Sequence, residues 1–336
     1  MINIVVIGCG YWGINLVRNI EQLHDSLLYG CCDLNPNNLG KVKKSYPHTK
    51  IDDDYHNFLT DSEVEAVLIA TSANTHYKVA KDCLRSGKHT FVEKPMTLSL
   101  VEAEELRDIA NTQGKILMVG HLLEYHPAVE KLRGYLDQGE LGDIYYIYSQ
   151  RLNLGRVRKD ENALWSLAPH DISMILYLLD RPTPSLVTAR GACYIQDGIE
   201  DIAFLDLYFP DNKMAHIQVS WLDPHKIRKL TVVGSRKMAV FDDMEPMEKV
   251  KIYDKGVADG LNYTSYGEAL SLRFGDIYIP KINSTEPLKK ECQHFLDCIK
   301  ENKQPRSDGE DGVRVVRILE AAQRSIKNKG KIIEFD

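Results

Sequence analysis

The sequence has no apolar run long enough to cross a bilayer, no CxxC pair, no GxSxG elbow and no GK[ST] phosphate loop. A membrane-spanning helix needs about 20 consecutive apolar residues, so none is expected. The seven cysteines (Cys9, Cys31, Cys32, Cys83, Cys193, Cys292 and Cys298) are odd in number and scattered. They are poor material for a disulfide framework and read as small core residues. Without the elbow or the phosphate loop, nothing suggests acyl or phosphoryl transfer. Positive charge is not in excess either: the formal net charge is −6, which gives no general attraction to nucleic acid or anionic lipid. Any anionic ligand must therefore be held by local basic groups. The start MINIVVIG carries no basic leader, and a cytoplasmic location is expected. A metal is not expected, because His121, Glu124 and His126 in HLLEYH lack the spacing of paired ligands on a helix face.

What is present is ordinary globular material: 336 residues, 43% hydrophobic and 27% charged, enough for two domains of roughly 150 residues each. Up to residue 120, buried-strand runs (1–7, 27–32, 65–70, 89–93, 115–120) alternate with helical patterns (12–23, 35–44, 74–85, 99–111). That alternation predicts an α/β domain with a doubly wound parallel sheet over residues 1–121. From 122 to 336 the pattern changes. After a helix over 127–138, strand-like runs at 144–154, 186–195, 201–209, 214–222, 228–234 and 238–242 are joined by hairpin-length turns such as PDNK and GSRK. An α+β domain with an open, largely antiparallel sheet is expected, carrying one helix over 168–179 and two closing helices over 288–301 and 309–325. The last of these could pack back on the first domain.

The motifs begin with VIGCGYWG, which sets Gly8, Gly10 and Gly13 in GxGxxG spacing between the first strand and the first helix, with Tyr11 and Trp12 in the same turn. A tight turn, close approach of backbone to a pyrophosphate and a positive helix end are what a dinucleotide requires. Asp33 follows Gly13 by twenty residues at the end of the second strand. Its carboxylate can accept from both adenosine ribose hydroxyls, though DLNPNN also looks like a helix cap. An acid there repels a 2′-phosphate, so NAD is preferred over NADP. At the end of the 65–70 run, Thr71, Ser72, Asn74 and His76 in TSANTH should line the ligand crevice, which opens beyond the carboxyl ends of the strands. Asn74 could equally cap the next helix, and His76 could face the core. By the same rule Glu93 and Lys94, in FVEKP, lie where a substrate would meet a nicotinamide ring.

GCGYWG, TSANTH and EKP in this order, with WSLAPHDISMIL and the closing GEDGVRVVRILEAAQRS, resemble the glucose-fructose oxidoreductase / inositol dehydrogenase (Gfo/Idh/MocA) family over essentially the whole chain. The resemblance implies a Rossmann domain for NAD, a second domain whose sheet carries the substrate site and the contacts of a dimer or tetramer, and sugar or cyclitol substrates. It makes Lys94 the lysine of the EKP motif and His170 the histidine of the second domain. Ser166 stands where many members have an aspartate, so a scheme that needs an Asp/His/Lys trio is weakened, although Asp171 adjoins the histidine.

The stretches NLGRVRKDENALWSLAPHDISMILYLL, HLLEYHPAVEKLR and GDIYIPKI are similar to the nucleotide-sugar branch. This implies NAD-dependent oxidation of the 3-hydroxyl of UDP-N-acetylglucosamine or its uronate, in bacterial surface-glycan (lipopolysaccharide) synthesis. Arg151, Arg156 and Arg158 could offer bidentate donors to a diphosphate or carboxylate, or form a solvated basic loop. Tyr125, Asn153 and Trp165 are further candidate substrate contacts. An imidazole ordinarily titrates near neutrality, which favours His170 as acid/base with Lys94 fixing the hydroxyl; the lysine could instead be the base. A 3-ketoreductase, a dehydrogenase of another sugar or cyclitol, and a non-catalytic dinucleotide sensor remain alternatives.

Overall fold

The computed structural model describes residues 1–155, 157–159, 161–257 and 272–335. They form two compact units, Met1–Tyr125 with Thr285–Glu320, and His126–Ser284 with the chain from Ala321 onward. The division expected at 121/122 thus gives way to one in which a late segment returns to the first unit.

The first unit runs β1 (Ile2–Ile7), α1 (Gly13–Gln22), β2 (Ser26–Cys32), α2 (Pro36–Ser45), β3 (Lys50–Asp52), α3 (His56–Leu59), β4 (Ala66–Ile69), α4 (Ala73–Arg85), β5 (His89–Glu93), α5 (Leu100–Gln113) and β6 (Leu117–Gly120). Its strands lie in the order β3-β2-β1-β4-β5-β6. Every pairing is parallel. β1 and β4 are apolar almost without interruption because both faces of a wound sheet are covered. The order reverses between β1 and β4, and at that switch point the carboxyl ends of the two strands diverge to leave a crevice. The three-residue β3 and the one-turn α3 were too short to carry a period in the sequence.

The second unit contributes α6 (Pro127–Asp137), β7 (Ile144–Leu152), α7 (Ala163–Leu178), β8 (Leu186–Ala192), β9 (Ile202–Tyr208), β10 (Met214–Ser220), β11 (Ile227–Gly234), β12 (Met238–Asp242), β13 (Val250–Val257) and β14 (Leu272–Tyr278). α8 (Pro287–Glu301) and the start of α9 (Gly309–Lys327) belong to the first unit, and β15 (Ile333–Glu334) closes the second sheet. That sheet is ordered β14-β13-β12-β11-β7-β10-β9-β8-β15. It is antiparallel except where β10 runs parallel to β7.

Burial alternates along β7, β9 and β10, so one face is covered and the other open. α7 lies on the covered face against β7, β9 and β10. On the open face Met214 stands opposite Tyr146 and Tyr208, and His216 opposite Tyr148 and Asp206. α7 begins five residues before the expected Ala168. Asn162 caps it by accepting from the Trp165 amide, and Pro169 sits inside it.

Candidate active site

The glycine turn is built by contact. Gly8 has φ of +89°, and a Cβ there would meet the Ala70 carbonyl carbon at 2.7 Å. A Cβ on Gly13 would lie 1.7 Å from the Gly8 carbonyl oxygen, whereas one on Gly10 would meet nothing within 4 Å. The outer two glycines therefore close the turn and Gly10 leaves open space over it. α1 begins at Gly13 with no side-chain cap and no acid in its own first turn, so its first amides are left to a ligand. The Asp33 carboxylate reaches back to this turn, accepting from the Cys9 amide at 2.7 Å, while its other oxygen accepts from the Asn35 amide at 2.7 Å. An acid fixed beside an open glycine turn fits the ribose of a dinucleotide, and the uncapped helix end fits its phosphates. The helix cap of α2 is Asn35, not Asp33.

Tyr11 is exposed. Trp12 lies half over the surface, and its indole N–H donates to Glu93 Oε1 at 2.5 Å, joining the glycine turn to the end of β5. Glu93 is buried, and its other oxygen accepts from the Lys94 amide at 3.3 Å. It pairs in register with Gly120, where a Cβ would come within 2.9 Å of the carboxylate, so a glycine is needed for the acid to fit. Burial first, against the opposing pull of Trp12 and of the Lys94 charge, pushes the Glu93 carboxyl up to about 7. Lys94 is partly exposed and is followed by the buried turn Pro95–Met96, with Gly312 of α9 closely packed on Met96.

Of the four residues at the β4 end, Thr71 is partly buried, and Ser72 and Asn74 are exposed. Ser72 occupies the cap position of α4, and Asn74 is inside the helix, so Asn74 is not a cap. His76 does not line the crevice. It is buried between the EKP turn and the end of β4, with Nδ1 2.8 Å from the Pro95 carbonyl and Nε2 3.1 Å from the Thr71 carbonyl, and the neutral ring donates its one N–H to one of the two. Burial holds its pKa below the usual imidazole value.

Tyr125 is likewise taken into the core of the first unit: it is 1% exposed, shares a hydrogen bond with Ser307 at 2.9 Å and lies under the Arg306 guanidinium. It offers no surface to a substrate, and its proximity in sequence to the domain junction misled.

In the second unit His170 is partly exposed on α7. The next residue, Asp171, is buried and accepts from Arg151 Nε at 2.5 Å, from Arg151 Nη2 at 3.3 Å and from Ser149. Arg151 and Ser149 are on β7, so this ion pair anchors α7 to the sheet and fixes which side of the helix presents His170. It also removes Arg151 from the supposed basic loop, because its guanidinium is committed inside the protein. Arg158 is exposed and pairs with Glu161; Arg156 lies outside the described residues. Asn153 follows β7 with its amide on the Ser220 carbonyl at 3.2 Å, and Trp165 is half-buried on α7.

One acid escaped the sequence reading, and another, Glu124, was weighed there only as a metal ligand. Glu291 on α8 and Glu124 are buried, and both Glu291 carboxyl oxygens lack a hydrogen-bond partner among the described residues. The signal was available, because Glu291 falls on the apolar stripe of Leu288, Cys292 and Phe295. Among the described residues no group of His, Cys, Asp and Glu side chains could hold a metal ion, and no helix is long and apolar enough to cross a membrane.

Residues 2–121 match the family described as an oxidoreductase family with an NAD-binding Rossmann fold, and residues 129–240 match the GFO/IDH/MocA C-terminal domain. Myo-inositol 2-dehydrogenase of Thermotoga maritima is 24% identical, with 97% of each chain covered. UDP-N-acetylglucosamine 3-dehydrogenase of Acidithiobacillus ferrooxidans is 27% identical over 76% of each chain. A crystal structure from Magnetospirillum magnetotacticum, described as an oxidoreductase, superposes with a TM-score of 0.80 at 32% identity and covers 96% of this chain and 99% of its own. With a glycine turn and ribose acid that fit the dinucleotide and both domains matched, the chain belongs to the GFO/IDH/MocA family and is an NAD-dependent oxidoreductase.

Proposed function

We propose that the chain oxidises the 3-hydroxyl of a UDP-N-acetylhexosamine, UDP-N-acetylglucosamine or its uronate, to a 3-keto sugar for bacterial surface-glycan synthesis. The observation that carries a dehydrogenase is the place of Lys94, at the carboxyl end of β5 in the domain that holds Gly8, Gly10, Gly13 and Asp33. Support for the nucleotide sugar comes from the 3-dehydrogenase of A. ferrooxidans and from the sequence stretches around His170.

NAD supplies the hydride acceptor when bound. The chain's own groups have the remaining tasks: Lys94 fixes the reacting hydroxyl, and His170 takes its proton, work worth about 10²–10⁴ in rate for a positioned base. Glu93 holds the Lys94 turn, and the Asp171–Arg151 pair holds the helix that carries His170. The diphosphate would draw on Arg156 and Arg158, the latter exchanging its Glu161 partner for phosphate oxygens. Asn153 and Trp165 are further substrate contacts in this scheme.

A second substrate class has its own support, since the inositol dehydrogenase aligns over nearly the full chain. Reduced-nicotinamide absorbance, recorded with UDP-N-acetylglucosamine, its uronate and myo-inositol in turn, each with and without 2-oxoglutarate as a recycling acceptor, separates the classes. Reduction with a nucleotide sugar and not with inositol is expected. The reverse would move the chain to the cyclitol class, and silence with all three in an NAD-binding protein would favour the reductive direction or a sensor. The open sheet face, with the stacked rings of Tyr146 and Tyr148, supports assembly as a dimer or tetramer, which light scattering on the purified chain would measure.

A further inference from the structure

Three acids of the first unit are buried together. Glu93, Glu124 and Glu291 are 7%, 1% and 0% exposed, and the charges of Glu93 and Glu124 both act on Glu291. An ionised carboxylate in the interior with no hydrogen-bond donor costs several kcal/mol, so the unpartnered Glu291 is held as the neutral acid. Burial, then the two neighbouring acids, raises its pKa well above the usual carboxylate range. Glu124 has the imidazole of His121 at 3.5 Å. Glu93 differs from both: it receives the Trp12 indole from the glycine turn and lies beside the Lys94 charge. Among the described groups, Tyr125 and Cys292 also face the cluster and are held neutral by burial, and the Arg306 guanidinium donates to the Glu124 carbonyl and lies over the Tyr125 ring.

Glu291, with no donor on either oxygen, stays neutral, and Glu93, buried and acting on it, is itself pushed toward protonation. Of the two, Glu93 is the acid joined to the glycine turn.

We infer that the Glu93 carboxyl is a charge-compensating proton site, which releases its proton when oxidised, cationic nicotinamide binds and takes one up again when the ring is neutral. The exchange is carboxylic acid to carboxylate plus a proton given to solvent, with no electrons moved. When the cofactor changes from cation to neutral, protonation of Glu93 removes one negative charge as one positive charge disappears, so the net charge of the buried site stays constant. In a poorly solvated site that constancy avoids a large electrostatic penalty in either cofactor state. The inference rests on the proposed place of the nicotinamide beside Lys94.

Calorimetric titration of the wild-type chain with NAD and with NADH, near pH 7 in buffers of different ionisation enthalpy, counts the protons exchanged. About half a proton should leave per NAD bound at that pH, and none per NADH. NAD affinity should rise with pH, by up to about tenfold for each unit by which the cation lowers the carboxyl's pKa. Glu93→Gln keeps an acceptor for Trp12 and should bind NAD with no proton release and a flat pH dependence. Glu291→Gln mimics the neutral acid and should release protons like wild type. A second measurement needs no variant: in the ligand-free wild-type chain with ¹³C-labelled glutamate carboxyls, one resonance should titrate near pH 7 and move to lower pH with NAD. NAD binding without proton release, release that survives in Glu93→Gln, or no carboxyl titrating between about pH 6 and 8 would overturn the inference and leave the dehydrogenase standing. A chain that bound neither nicotinamide form would remove both.

Discussion

The two candidate catalytic groups stand next to buried acids that the protein treats in opposite ways. Asp171, beside His170, is neutralised in place by Arg151 and Ser149. Glu93, beside Lys94, has an indole and an amide for partners and the unpartnered carboxyl of Glu291 near it. The first arrangement trades charge against charge and is rigid; it fixes a helix. The second leaves charge to be settled by protons, which makes it responsive to pH and to whatever cation arrives. The two buried acids are thus settled in different ways, one by a cation and one without, and that contrast can be tested.

The largest effects should come from the groups themselves. Lys94→Met and His170→Asn should each lower turnover by about a hundredfold or more while NAD titration still shows binding. If His170→Asn turns over normally, the proton passes through Lys94 instead, and the second unit's role reduces to binding.

Next comes the anchor. Arg151→Met alone leaves Asp171 buried without its partner and should cost about 3–5 kcal/mol in urea unfolding, whereas replacing both by apolar residues should cost far less. Turnover should fall in the single variant beyond what its stability explains, because α7 loses the tie that orients His170. A small cost, under about 1 kcal/mol, would mean that the pair is reached by water and the contrast with Glu93 is overstated.

The third prediction concerns the other acid and has the opposite sign. Glu93 titrates near 7 in the folded chain and at about 4.5 otherwise, so the folded state binds its proton more tightly. Its contribution is fully present below pH 4.5 and is lost as pH rises through 7, a change of about 3 kcal/mol. Glu93→Gln should therefore be more stable than wild type at pH 8, with the advantage shrinking to nothing below pH 4.5. Removing the cation partner of Asp171 destabilises the chain and removing the Glu93 carboxyl stabilises it, a difference that a pair of urea curves at pH 8 would display.

Much of this was legible in the sequence, and the gaps have physical causes. The first sheet was readable because parallel strands covered on both faces give unbroken apolar runs, as in IVVI and AVLI. The glycine turn and Asp33 were readable because close contact admits few residue types. The parallel pairing of β10 with β7 was not, since strand order across a sheet leaves no local pattern. β13 and β14 were missed where Lys, Asp and Gly dilute the alternation. Side-chain fate was least legible. Nothing local in HLLEYH says that Tyr125 is enclosed, and nothing in SQRLNL says that Arg151 points at an acid twenty residues later.

The smallest expected effect decides whether the second unit also handles charge at its surface. Arg158 is exposed and its partner Glu161 is three residues along the chain, so Arg158→Ala should change stability by less than about 1 kcal/mol. If the guanidinium leaves Glu161 for a diphosphate, the same variant should raise KM for a nucleotide sugar by roughly tenfold with kcat unchanged, since such a contact is equal in ground and transition states. KM for a substrate without phosphate should not move. An unchanged KM for both would reduce the pair to a surface contact and remove Arg158 from the proposed substrate site.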